Sequence, residues 1–166
     1  MDISVSVEGV RMPDGRTFRC ALGRGGITHN KTEGDGATPA GSWPIRSLYY
    51  RSDRIDPPET QLPTQAIQED DGWVDQPDHP EYNKPVKLPL PEGISHERLW
   101  HDDHLYDLVV VLGYNDNPSV PGKGSAIFMH VARPDYGPTA GCISLSLNDL
   151  QQIIKDLAPG DRIVVH

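Results

Sequence analysis

Leu108-Val-Val-Val-Leu112 and Ala126-Ile-Phe-Met-His-Val131 decide the fold of this chain. Each is a short apolar run, rich in β-branched or aromatic residues and bounded by polar or turn-forming segments, which reads as a buried β-strand rather than a helix. Together they predict a central sheet. Outward from them, Ser42 to Tyr50 is also strand-like, and Arg162 to His166 reads as a last strand. Near the N-terminus Ile3, Val5 and Val7 alternate with Ser4, Ser6 and Glu8. Arg16 to Leu22 continues after the turn sequence Pro13-Asp14-Gly15, so a β-hairpin is expected there. One helix is clear: Ser146 followed by Asp149 forms a capping box. Leu147, Leu150, Ile153, Ile154 and Leu157 then recur at helical spacing until Ala158-Pro159-Gly160 stops the pattern. With no alternation of strand and helix, the pattern predicts a mainly β fold, a β-sandwich or barrel-like sheet with one C-terminal helix.

A length of 166 residues predicts one domain spanning 1–166. Gly23 to Gly41 is glycine-rich and polar, the composition of a surface connection. Residues 51–100 carry eight of the sixteen prolines, which predicts an irregular insertion packed by Trp73, Tyr82 and Trp100. Long aromatic-rich loops often cover clefts, and Trp73, Tyr82 and Asn83 are candidate substrate contacts on that ground. A net charge of -9 without any run of Lys or Arg argues against nucleic acid as a partner. No stretch approaches the roughly 20 apolar residues of a membrane span. The start MDISVSVEGV lacks the basic and apolar regions of a signal peptide, so a cytoplasmic location is expected if Met1 is the native start. Cys20 and Cys142 are then expected as reduced thiols, with Cys20 a small buried residue in a strand.

Chemistry concentrates in His130-Val-Ala-Arg-Pro-Asp-Tyr-Gly-Pro-Thr139-Ala-Gly141-Cys142-Ile-Ser144. His130 ends a predicted strand, a Pro/Gly loop returns the chain, and Gly141 places Cys142 where an imidazole can take the thiol proton. The amides of Gly141 and Cys142 are candidate donors to an oxyanion. On spacing alone the alternative stands beside this: a satisfied strand-end histidine and a buried core cysteine. Two further motifs are weaker. His101-Asp102-Asp103-His104 lacks the spacing of a zinc hydrolase helix and reads as a solvated turn. Glu33-Gly34-Asp35-Gly36 lacks the alternating acidic positions of a calcium loop. No phosphate-binding glycine motif is found, and no metal or other cofactor is expected.

The chain resembles the YkuD-like L,D-transpeptidase catalytic domain family, whose signature is a His, a loop, then Ser or Thr, any residue, Gly and Cys. His130, Thr139, Gly141 and Cys142 fill those places in order. Thr38-Pro39-Ala40-Gly41 resembles an upstream element of the family, and Gly124-Ser125-Ala126-Ile127-Phe128 leads into the histidine. The resemblance spans roughly residues 2 to 166. It implies a mainly β fold and cysteine acyl transfer on peptidoglycan stem peptides, with Cys142 as nucleophile, His130 as proton carrier, Gly141 near the oxyanion and Thr139 in the substrate site. Two departures stand out: the loop after His130 is short, and Ser144 occupies the place of the family's usual arginine. Arg133 is the candidate replacement for that cation.

For this family a thioester on Cys142 is released by an amine, giving transpeptidation, or by water, giving L,D-carboxypeptidase activity. An enzyme inside the cell meets precursors or recycled muropeptides, so the expectation is a cytoplasmic carboxypeptidase of peptidoglycan recycling. Cross-link formation or D-amino acid exchange is the alternative, and a non-catalytic muropeptide-binding module is a third reading.

Overall fold

The computed structural model describes the whole chain, Met1 to His166. Its strands are β1 (Asp2–Ser6), β2 (Gly9–Arg11), β3 (Thr17–Phe18), β4 (Ile27–Thr28), β5 (Thr38–Pro39), β6 (Gly41–Tyr50), β7 (Thr64–Ala66) and β8 (Asp71–Val74). They continue as β9 (Pro85–Lys87), β10 (His96–Arg98), β11 (Leu108–Leu112), β12 (Phe128–Val131) and β13 (Ile143–Leu145), then helix α1 (Leu147–Lys155) and β14 (Arg162–Val165). The fold is mainly β with one short helix near its end. That helix is nine residues long, and no helix is long and apolar enough to cross a membrane.

The main sheet has nine strands in the order β13-β12-β11-β6-β14-β1-β2-β3, with β7 alongside β6. The ten-residue β6 joins its two halves. Gly41 to Pro44 pair with β14, and Ile45 to Tyr50 pair with β11 across a register shift at Val111/Leu112. The far edges then approach each other. Ala21 and Ser144 exchange backbone hydrogen bonds of 2.8 and 2.9 Å, Thr139 N donates to Leu22 O, and Arg24 N donates to Thr139 O. This contact gives the sheet its barrel-like closure and ties residues 21–24 to the nucleophile loop.

Alternation on β11 and β12 explains their continuous apolar sequence, because both faces are covered. Leu108, Val110, Leu112, Met129, Ile143 and Leu145 face the larger core with α1. Val109, Val111 and Phe128 face a smaller core that includes Trp73, Tyr106 and Cys142. Parallel pairing of β12 with β13 sets His130 opposite Ser144. Cys142, two residues before Ser144, therefore shares the face that carries His130.

Two expectations need correction. The predicted N-terminal strand is split, because β1 turns at Val7 and Glu8 and pairs back on β2. Gly9 makes that turn with φ of 123°, where a Cβ would lie 2.4 Å from Phe18 O. Nor is the Pro-rich segment irregular throughout, since β10-β8-β9 form a three-stranded sheet within it. All of its prolines but Pro85, which opens β9, sit outside those strands, where they cost no ladder hydrogen bond.

Helix α1 follows the sequence reading: Ser146 Oγ accepts from Asp149 N at 3.2 Å, and Leu150, Ile153 and Ile154 are buried. Removing the cap by Ser146→Ala is expected to lower stability by about 1 kcal/mol in denaturant melts.

Candidate active site

Gly141 shapes the nucleophile turn. Its φ is 139°, and a Cβ there would lie 2.8 Å from Ala37 O and 3.4 Å from both Ile127 Cδ1 and Lys31 Nζ. Only glycine fits between the nucleophile loop and the 31–37 loop at this point. Thr139 locks the turn from inside: its Oγ1 accepts from Gly141 N at 3.0 Å and donates to Cys142 O at 2.6 Å. The expected roles of Gly141 and Thr139 change accordingly. The Gly141 amide is taken by Thr139, and the Thr139 hydroxyl is committed to the loop rather than left for substrate. The Cys142 amide makes no hydrogen bond within the protein, so it is the donor available to an oxyanion.

Cys142 and His130 line one cavity of about 440 Å³. The thiol donates to Ala126 O at 3.2 Å and accepts from Phe128 N at 3.4 Å. His130 Nδ1 lies 2.9 Å from its neighbour's carbonyl, Val131 O, which assigns the proton to Nδ1 and leaves Nε2 as the basic nitrogen. No hydrogen bond joins thiol and imidazole in this resting arrangement, although both face the cavity. Burial keeps each of them neutral: it pushes Cys142 up to about 12 and draws His130 down to about 4. A thiolate–imidazolium ion pair therefore does not describe the resting site. Charging either group alone is unfavourable, so proton transfer must accompany attack on the substrate, once thiol and imidazole meet.

Ala126, whose carbonyl receives the thiol, has φ of 52°, a conformation rare outside glycine. Asn83 holds it there. Asn83 Oδ1 accepts from Ala126 N and from Trp73 Nε1, both at 2.9 Å, and its Nδ2 donates to Tyr114 O and Asn115 O at 3.0 and 2.7 Å. Tyr82 OH donates to Glu33 and accepts from Gly124 N. Trp73, Tyr82 and Asn83, expected as substrate contacts, are placed by the structure as buried supports beneath the site. Their polar atoms are already paired within the protein, and none of the three lines the cavity.

Most of the other lining residues are not among the sequence-derived site candidates. Glu33, Asp75 and Glu97 give the cavity a carboxylate wall, and none of them forms a salt bridge. Glu97 accepts from Tyr106 OH at 2.6 Å, and burial raises its pKa. Arg24 and Arg133 supply two guanidinium groups without carboxylate partners. Arg133 therefore lies at the site, as expected of it. Ser144, in the place of the family's arginine, is buried beside His130 with its Oγ unpartnered. The glycine-rich 23–41 segment, read as a surface connection, contributes Arg24, Glu33, Gly34 and Gly36 to the wall. What brings it there is the closure of the sheet and the fit of Gly141, neither of which composition records.

Two outcomes follow. Removing the hub by Asn83→Ala leaves buried amides and carbonyls unpaired, at a cost of about 1–3 kcal/mol each, and is expected to lower both melting temperature and activity. Ala126→Gly, which suits the positive φ, is expected to keep both. Because the thiol is raised to about 12, less of it is ionised at neutral pH than in an ordinary cysteine. Iodoacetamide is accordingly expected to react with Cys142 more slowly than with a free thiol near pH 7, with the rate rising beyond pH 9. Alkylation faster than the free thiol would contradict the resting state described here.

No curated protein and no solved structure gives a significant match to this chain. Residues 9–165 match the family model described as YkuD, L,D-transpeptidase catalytic domain, which covers nearly the whole chain. The family is one of cysteine L,D-transpeptidases acting on peptidoglycan, and the site agrees with it in a nucleophile turn around Cys142 and a facing His130. The chain belongs to the YkuD family of L,D-transpeptidase catalytic domains.

Proposed function

We propose that this protein is an L,D-carboxypeptidase that removes the terminal D-alanine from the tetrapeptide stem of a muropeptide. The observation that carries this reading is the charge layout of the cavity. Carboxylates of Glu33, Asp75 and Glu97 line it together with the guanidinium groups of Arg24 and Arg133, around Cys142. The end of a tetrapeptide stem bears complementary groups, an ammonium on diaminopimelate and a carboxylate on D-alanine. A volume of about 440 Å³ lies at the small-ligand end of known sites and suits one peptide end. Water is the acceptor that needs no further room.

In this mechanism His130 Nε2 takes the Cys142 proton as sulfur attacks the diaminopimelate carbonyl. The Cys142 amide receives the developing oxyanion. The tetrahedral intermediate then collapses to a thioester as His130 gives the proton to the departing D-alanine amine. Water attack on the thioester releases a tripeptide. We place the reaction in the cytoplasm, on muropeptides returned from wall turnover, where Cys20 and Cys142 stay as the free thiols found here. The family's transpeptidases favour a second reading, in which an amine takes the acyl group instead of water.

Incubation with purified disaccharide tetrapeptide, followed by mass spectrometry, distinguishes the readings. Loss of one alanine is the expected outcome. A cross-linked dimer or an exchanged D-amino acid would replace hydrolysis by transfer, and binding without turnover would make the domain a muropeptide-binding module. Cys142→Ala is expected to abolish turnover without loss of melting temperature, and full activity in that variant would end the cysteine mechanism.

A further inference from the structure

The fold divides the sequence His101-Asp102-Asp103-His104. His104 points outward, its side chain 78% exposed and its Nδ1 2.8 Å from Asp107 Oδ2. His101 instead lines the cavity that holds Cys142 and His130. Its ring stacks on Tyr106 with centroids 4.1 Å apart and planes at 26°. His130 meets the same phenol ring at 5.3 Å and 63°. One buried aromatic side chain thus holds two imidazoles at one site.

The two histidines are prepared for different work. His101 Nδ1 is 3.1 Å from Asp103 Oδ1, which is itself fixed by the Leu105 amide at 3.0 Å. A carboxylate at Nδ1 selects the tautomer with a basic Nε2 and supports the imidazolium when it forms. His101 Nε2 has no partner in the protein, and the side chain is 26% exposed, in touch with solvent. His130 is 6% exposed and has a backbone carbonyl, not a carboxylate, behind it. A dry imidazole beside the thiol suits the first transfer, in which the proton passes only between sulfur and the leaving amine. The second transfer begins with an acceptor that arrives from solvent.

We propose that His101, oriented by Asp103, is the general base of the second half-reaction, taking the proton from the water or amine that attacks the Cys142 thioester. This rests on the thioester reading given above. The attacking oxygen or nitrogen bonds to the acyl carbon as its proton passes to His101 Nε2. The carbon–sulfur bond then breaks and the thiolate departs, and the proton held by His101, relayed through water in the cavity, restores the thiol. The product is a carboxylic acid when water attacks and an amide when an amine does.

Intact-protein mass spectrometry during reaction with disaccharide tetrapeptide tests this in four proteins: wild type, His101→Gln, His101→Phe and Asp103→Asn. The variants are expected to form the acyl-enzyme in the first turnover as wild type does. Steady-state turnover is expected to fall by about 10²-fold or more in the His101 variants, with acyl-enzyme as the dominant species. Hydroxylamine, which attacks thioesters without a base, is expected to restore release. His101→Phe keeps the stack on Tyr106, so a packing role alone would leave this variant near wild type, and that result overturns the proposal. Loss of acylation and deacylation together in variants with wild-type melting temperatures also overturns it. A wild type that never acylates removes the thioester reading and this proposal with it. A wild type that turns over while His101→Gln does so equally fast removes only the proposal.

Discussion

The carboxamide of Asn83 is the fixed point of this site. Its four hydrogen bonds use both donor hydrogens and both acceptor lone pairs that an amide side chain offers. They connect the inserted sheet, through Trp73, to the turn at Tyr114 and Asn115 and to Ala126 beneath the nucleophile. Ala126 occupies a backbone conformation that an alanine adopts only at a cost, which the surrounding hydrogen bonds must offset. In return its carbonyl is aimed at Cys142 Sγ. Insertion and catalytic sheet are therefore one mechanical unit, although the sequence separates them by more than forty residues at this contact.

Electrostatically the cavity combines a neutral reactive pair with charged surroundings. Burial keeps both thiol and imidazole uncharged at rest, while carboxylates and guanidinium groups remain around them without mutual pairing. Unpaired charges of both signs, held near one opening, are complementary to a zwitterionic peptide end. Substrate entry also displaces water from the reacting groups, which strengthens every interaction between fixed charges and the developing oxyanion. Ser144 belongs to the same picture. A short hydroxyl fits the interior beside His130, and the cations stand at the cavity surface instead.

Local signals made much of the fold legible in the sequence. The apolar runs at 108–112 and 126–131, the Ser146 cap and the helical spacing behind it are short-range patterns, and each corresponds to an element in the structure. On spacing alone Cys142, Gly141 and His130 leave a buried cysteine and a strand-end histidine as an equal alternative, and the resemblance to the YkuD family is what favours a Cys/His site. Trp73, Tyr82 and Asn83 lie buried, with their polar atoms paired inside the protein and outside the cavity lining, a placement local sequence does not give, because aromatic and amide side chains in an insertion serve a ligand and a core equally well. Arg24 and Glu33 come from one segment, and Glu97 and His101 from another more than sixty residues later, and nothing in their local sequence states that the sheet closes around them. The Val7–Glu8 turn was missed because alternation continues through it without a break, and Gly9 was its one local sign.

The closure of the sheet has a consequence for how the protein is made. β1 pairs in parallel with β14, and Ala21 pairs with Ser144, so the N-terminal strands, which pair locally through β2, find their remaining neighbours among the last part of the chain. Such distant pairings close slowly, since their loop entropy is lost before their contacts form. On the ribosome the N-terminal strands emerge with open edges and wait for the C-terminal strand, a window in which chaperones have something to hold. The nucleophile turn is assembled by the same late event, through Leu22, Arg24 and Thr139. Assembly of the nucleophile turn thus depends on the joining of segments more than a hundred residues apart in sequence.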